Sequence, residues 1–175
     1  SALPTLRDQV KPGGFGDWDY MIKRMEDEEA FWEPGTRNGY HMINFGWTVG
    51  ELVRRVSGKS LGTFFREEVA EKTGAKFWIG LPESEQVHIA PIRPYIPKPG
   101  DQPSEFAIKL MTEPDSIQHK SFMNSGGWDF NDRKSQAAEI GGGGGLSNAR
   151  GQVAWYTELA TNSGKLVSSD RLANM

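Results

Sequence analysis

Trp32-Glu33-Pro34-Gly35-Thr36-Arg37-Asn38-Gly39-Tyr40-His41-Met42-Ile43-Asn44-Phe45-Gly46-Trp47 is the stretch on which the fold turns. Pro34 forces its predecessor out of the α region and Gly35 suits a turn, so a Pro-Gly turn leads into whatever follows. From His41 to Ser57 the apolar residues Met42, Phe45, Val49, Leu52, Val53 and Val56 fall at helical spacing, with Glu51, Arg54 and Arg55 off that stripe. Gly46 and Gly50 sit on adjacent turns and cost about 1 kcal/mol each in helix propensity, which points to another backbone packed closely there. The spacing therefore predicts a helix buried on most sides, with Tyr40 at its mouth. Physics alone leaves Tyr40 two roles: an apolar staple on the helix N-terminus, or a hydroxyl held at one point in a cleft.

Outward from this helix the chain reads as further helices. Gly58 can take the left-handed conformation that ends it, Ser60 can cap a successor, and Leu61, Phe64, Phe65 and Val69 give that successor a stripe as far as Gly74. The pair makes a helical hairpin. Upstream, Asp17 caps a short amphipathic helix carrying Met21, Ile22 and Met25 to about Glu29, and the Pro- and Gly-bearing opening to Gly16 reads as a surface loop. Downstream, Phe77 to Pro82 and Val87 to Pro91 each have the composition of a short edge strand. The proline-dense stretch 91–103 reads as an extended linker or lid. Ser104 caps a helix with Phe106, Ile108, Leu110 and Met111 that Pro114 ends, and Ser116 to Glu139 reads as irregular. After Gly141 to Gly145, Ser147 caps a last long helix that buries Val153, Ala154, Tyr156, Leu159 and Ala160; Gly164 closes it, and Ser168 or Ser169 opens another. The fold expected is mainly α with short peripheral strands, in one domain over residues 1–175.

Composition removes several functions. The net charge is −3, from 20 basic and 23 acidic residues, with no basic block, so nucleic acid is not an expected partner. No apolar run approaches the roughly 20 residues of a membrane span, and no h-region opens the chain. With no cysteine, disulfides, thiolate nucleophiles and zinc ribbons are excluded. His41, His88 and His119 lie far apart with no His-Glu-x-x-His helix, so neither a metal site nor a cofactor is expected.

Three local matches carry no function. Gly58-Lys59-Ser60 lacks the upstream glycine of a phosphate loop, because Val53 stands there. Lys72-Thr73-Gly74 ends an amphipathic helix, where Lys complements the dipole and Gly caps. The glycine run is either a close-approach loop or hinge, or a set of backbone N–H groups for an anion.

Taken with Gly50-Glu51-Leu52-Val53-Arg54-Arg55-Val56-Ser57-Gly58-Lys59-Ser60-Leu61 and Phe64-Phe65-Arg66-Glu67-Glu68, the opening stretch resembles the serine β-lactamase and penicillin-binding-protein-like family, in its esterase and class C branch. The likeness continues through Phe77 to Pro82, Ala138-Glu139-Ile140, Ser147-Asn148-Ala149-Arg150 and Gly164 to Ser168. It implies the helical lobe of a β-lactamase-like α+β fold and a serine hydrolase acting through an acyl-enzyme. In that family a Ser-x-x-Lys pair supplies nucleophile and base, and a tyrosine completes the proton relay. Tyr40 matches that tyrosine, and Trp32, His41 and Gly143 become candidates for the cleft wall. Met42 stands where the family's Tyr-x-Asn motif has Asn, which favours a small ester or amide-like substrate over a β-lactam.

No serine here is followed three residues later by lysine. Two readings follow. In one, the chain is an internal portion of the hydrolase, inactive alone because the nucleophile pair is carried elsewhere. In the other, it stands alone as a helical binding or interaction module from a shortened reading frame. In the second reading, helix stripes left bare without their sheet would favour a homodimer.

Overall fold

Up to Asp17 the chain forms no regular element except a 3-10 turn at Gly14–Gly16, in a computed structural model that describes residues 2–175. This opening is not a surface loop, however. Leu6, Val10 and Phe15 are buried and belong to the core, where Phe15 meets Trp47 edge-on.

Helix α1 (Trp18–Asp27) starts where its cap predicts: the Asp17 carboxylate accepts from the Tyr20 amide at 3.1 Å. It buries Met21, Ile22 and Met25, the predicted stripe. Helix α2 (Asn44–Ser57) begins three residues after His41, so residues 40–43 lead into it as extended chain and turn.

The face that α2 buries differs from the expectation. Asn44, Gly46, Trp47, Gly50 and Glu51 point inward, whereas Phe45, Val49, Leu52 and Val56 are exposed. Close backbone approach decides this. Gly46 lies against the backbone of Gly141 and Gly142, and the ring of Trp18 covers Gly50. Only the face with the two glycines admits these neighbours, so the aliphatic stripe turns away from them. Glu51 can be buried because its carboxylate accepts from the Trp18 indole, Arg54 Nε and Arg55 Nε, each at 2.8 Å.

Helix α3 (Leu61–Phe65), one π turn (Arg66–Ala70) and α4 (Glu71–Thr73) form a continuous rod, capped by Ser60 and ended by Gly74. The Glu139 carboxylate accepts from Ser60 Oγ and the Gly62 amide, both at 2.8 Å, and joins this rod to the segment before the glycine run. Strand β1 (Phe77–Ile79) follows. The expected strand at Val87 to Pro91 is absent: Glu83–His88 forms a 3-10 helix, because Pro82 followed by Glu83 and Glu85 suits a helical first turn. The stretch 91–103 carries no regular element, as its prolines require.

The region 116–139 is more ordered than its composition suggests. Helix α5 (Glu105–Thr112) packs on α6 (Ile117–Met123) through Phe106 and Phe122, whose rings lie 5.4 Å apart, and α7 (Arg133–Ala137) follows. Both α6 and α7 are too short to show a periodic stripe, although Ser116 and Asp132 cap them. Strand β2 (Gly145–Ser147) then pairs antiparallel with β1, Trp78 opposite Leu146. The cap of α8 (Ala149–Ala160) is Asn148, not Ser147, whose hydroxyl instead donates to the Lys76 carbonyl at 2.8 Å. Val153 and Tyr156 on α8 are exposed rather than buried; its inward contact is Trp155, edge-on to Phe65 and Phe77. A short α9 (Ser169–Leu172) starts at the expected serines.

The core gathers Leu6, Val10, Met21, Met25, Ile43, Trp47 and Ile140 between the opening segment, α1, α2 and the start of the glycine run. Among the described residues no helix is long and apolar enough to cross a membrane.

Candidate functional site

The turn at Pro34-Gly35 closes with the Thr36 amide and hydroxyl both donating to the Glu33 carbonyl, and Gly35 takes φ 87°. The chain then returns past Trp32, whose six-membered ring lies beside Gly39. A methyl group at Gly39 would meet that ring at 2.7 Å, so a side chain here requires Trp32 to shift. Tyr40 follows, outside the helix, with its ring 83% exposed. An apolar staple would be covered, so the exposed ring does not behave as one.

The ring stands over a cavity of about 660 Å³. Tyr40, Met42, Phe45 and Thr48 line one side of it, and the backbone of Gly141 and Gly142 forms the other. The α2 glycine makes this wall possible, since Gly46 lets the glycine run sit directly on the first turn of the helix. The Thr48 hydroxyl donates back to the Asn44 carbonyl at 3.0 Å. Among the described residues, none lining the cavity is Ser, Lys, Arg, Asp or Glu.

The other residues singled out from the sequence are dispersed. His41 borders the cavity, but its ring is engaged with backbone: Nδ1 lies 2.7 Å from the Gly39 carbonyl and Nε2 accepts from the Leu3 amide at 3.2 Å. Trp32 does not line the cavity and instead buttresses the loop from behind. Gly143 lines a second cavity, of about 140 Å³, with Trp128, Phe130 and Ile92. His119 Nδ1 lies 2.7 Å from the Leu110 carbonyl on the α5–α6 pair. Among the described residues no three His, Asp or Glu side chains approach closely enough to hold a metal ion.

Sequence reading missed two participants. Asn44 is buried at the start of α2 and donates to the Leu3 carbonyl, and Leu3 meets the loop from 38 positions away. No local pattern marks Leu3, because only the tertiary fold brings it there.

A family model described as Beta-lactamase matches residues 1–175. Over 56 residues the chain is 39% identical to Esterase/beta-lactamase LipL of Mycobacterium tuberculosis, which is 30% of this chain and 13% of that protein. A novel penicillin-binding protein homolog from Caulobacter crescentus superposes with a TM-score of 0.78 at 23% identity, covering 98% of this chain and 44% of its own. EstA from Arthrobacter nitroguajacolicus Rue61a superposes with a TM-score of 0.73 at 25% identity, covering 90% of this chain and 41% of its own. The chain thus spans less than half of each solved structure, and it has the mainly helical architecture of one lobe of a β-lactamase-like fold. With a match to that family model over residues 1–175, the chain belongs to the Beta-lactamase family.

Proposed function

We propose that residues 1–175 act as one unit, the tyrosine-bearing lobe of a serine hydrolase, with a Ser-x-x-Lys pair supplied from outside this stretch. The observation that carries the proposal is the Tyr40 phenol, exposed over a cavity whose far wall is glycine backbone. In the acyl-transfer step the serine oxygen bonds to the substrate carbonyl carbon, and its proton passes to the Tyr40 hydroxyl as that hydroxyl hands its own proton to the lysine amine of the pair; the amine returns a proton by the same relay. Collapse of the tetrahedral centre breaks the bond to the leaving oxygen, which takes that proton. Water then cleaves the acyl ester by the reverse proton path.

A small ester is the favoured substrate. Met42 lines the cavity with a thioether where an amide would offer both donor and acceptor to a lactam, and the lining presents no charge for a substrate carboxylate. The catalytic position in this proposal is Tyr40, with His41 bordering its cavity and Trp32 behind the loop, while Gly143 lines the second cavity.

The test uses the hydrolase that contains these residues together with a Ser-x-x-Lys segment. Tyr40→Phe should lower turnover of p-nitrophenyl butyrate by about 100-fold or more, within the range of a lost general acid–base group. Residues 1–175 alone should take no fluorophosphonate or penicillin label. Full activity of the Tyr40→Phe enzyme, or stoichiometric labelling of the isolated chain, would overturn the proposal.

A second reading, a non-catalytic interaction module, draws on the exposed row of Phe45, Val49, Leu52 and Val56 along α2. Under that reading the isolated chain forms a dimer through the row. Light scattering that gives a monomer at high concentration removes it.

A further inference from the structure

We infer that His41 is a positioning residue for Tyr40, a role that rests on the reading of Tyr40 just given. The phenol ring is 83% exposed, and its hydroxyl makes no hydrogen bond among the described residues. Nothing on the ring itself fixes where the hydroxyl stands, so its place is set by the backbone that carries it.

That backbone is tied down by one imidazole. The carbonyl before Tyr40, that of Gly39, accepts from His41 Nδ1–H at 2.7 Å, while His41 Nε2 accepts from the Leu3 amide at 3.2 Å. Both bonds exist together only when the ring is neutral and its proton sits on Nδ1. The carbonyl of the same Leu3 accepts from Asn44 Nδ2 at 3.3 Å, so one residue of the opening segment is gripped from two points, three residues apart, on the approach to α2. The Ala2 carbonyl accepts from the Phe31 amide at 2.9 Å, tying the same segment to the chain just before the Pro-Gly turn. Residues 2–3 thereby bridge both ends of the loop 32–43. With both ring nitrogens engaged on backbone, His41 acts through Tyr40 rather than on substrate.

The test compares His41→Ala with His41→Asn in residues 1–175. The Asn amide stands where Nδ1 stood and can donate to the Gly39 carbonyl; alanine can make neither bond. Imidazole ¹⁵N spectra of the parent chain should show a single neutral Nδ1–H tautomer. Backbone order parameters at Gly39 and Tyr40 should fall from about 0.85 to below about 0.6 in His41→Ala and recover in His41→Asn, while α2 keeps its order in both. Unchanged order in His41→Ala, or a tautomer with the proton on Nε2, overturns the inference. In the complete hydrolase His41→Ala should lower kcat about ten-fold for p-nitrophenyl butyrate with KM unchanged. These readouts separate two failures. If Tyr40→Phe leaves turnover intact, the role of the phenol is wrong; if Tyr40→Phe abolishes turnover and His41→Ala does not affect kcat, the positioning role is wrong.

Discussion

Gly46 on the first turn of α2 and Gly142 in the glycine run meet backbone to backbone, with no side chain between them. This contact fixes two features together. It selects the face that α2 turns inward, and it brings the glycine backbone across from Tyr40 to complete the cavity.

A methyl group at Gly46 has no room, because the atoms it meets are main chain and cannot rotate away. Gly46→Ala should therefore cost about 3 kcal/mol in spite of alanine's better helix propensity, at the upper end of what overpacking costs. Urea unfolding measures it. A variant as stable as the parent would mean that the glycine run does not seat on α2.

The sequence showed this contact in part. Two glycines on one helix face announced a close neighbour, but nothing local named Gly141 and Gly142, which lie almost a hundred residues on. The apolar stripe of the same helix misled for a related reason. Periodicity finds an amphipathic helix without saying which of two competing faces the fold will bury, and here the glycine face with Trp47 and Glu51 prevailed. Caps were legible at Asp17, Ser60 and Ser104, since a cap is a bond to an amide two or three residues away. Of the β1–β2 pair only β1 was legible, from the composition of Phe77 to Pro82; Gly145–Ser147, three residues opening on glycine, has too little alternation to detect. Of the residues lining the candidate cavity, Tyr40 was singled out by its turn and its resemblance, whereas the partnership of His41 with Leu3 needed the tertiary fold.

Glu51 ties α1 to α2, and its titration should be visible in stability. Burial pushes its carboxyl up, but hydrogen bonds from the Trp18 indole, Arg55 and Arg54, together with the charge of Arg54, prevail and hold it at about 2 against an ordinary 4.5. A depressed folded-state value means the contribution is present above 4.5 and is lost as pH falls from there towards 2. The amount is about 3 kcal/mol. Glu51→Gln should remove a similar amount at neutral pH and flatten the acid limb of the stability curve, as read by urea melts across that window. An acid limb unchanged by the substitution would assign the loss to other carboxylates.

Tyr40 should contribute to function without contributing to stability. Its ring is 83% exposed, so Tyr40→Phe should leave the thermal midpoint and the unfolding free energy within about 0.5 kcal/mol of the parent. Circular dichroism melts of the chain decide this. A larger loss would make the ring a packing element and remove the ground for reading it as a placed hydroxyl.

The row along α2 offers the last prediction. Leu52 is 63% and Val56 86% exposed, so neither is part of the core cluster. Replacing both by glutamate removes little buried area, and a carboxylate there stays hydrated. The expected stability change is within about 1 kcal/mol, because surface substitutions away from caps and buried polar groups are individually small. Position tempers this slightly: Leu52 and Val56 lie towards the C-terminal half of α2, where negative charge opposes the helix dipole by a few tenths of a kcal/mol. Association is where the effect should appear. If the row mediates self-association or adhesion to the remainder of a hydrolase, the doubly substituted chain becomes more soluble and loses any concentration-dependent mass increase in light scattering. Cooperative unfolding should persist. A loss of several kcal/mol would instead mean that the row is covered within this chain, contrary to the exposure of its side chains.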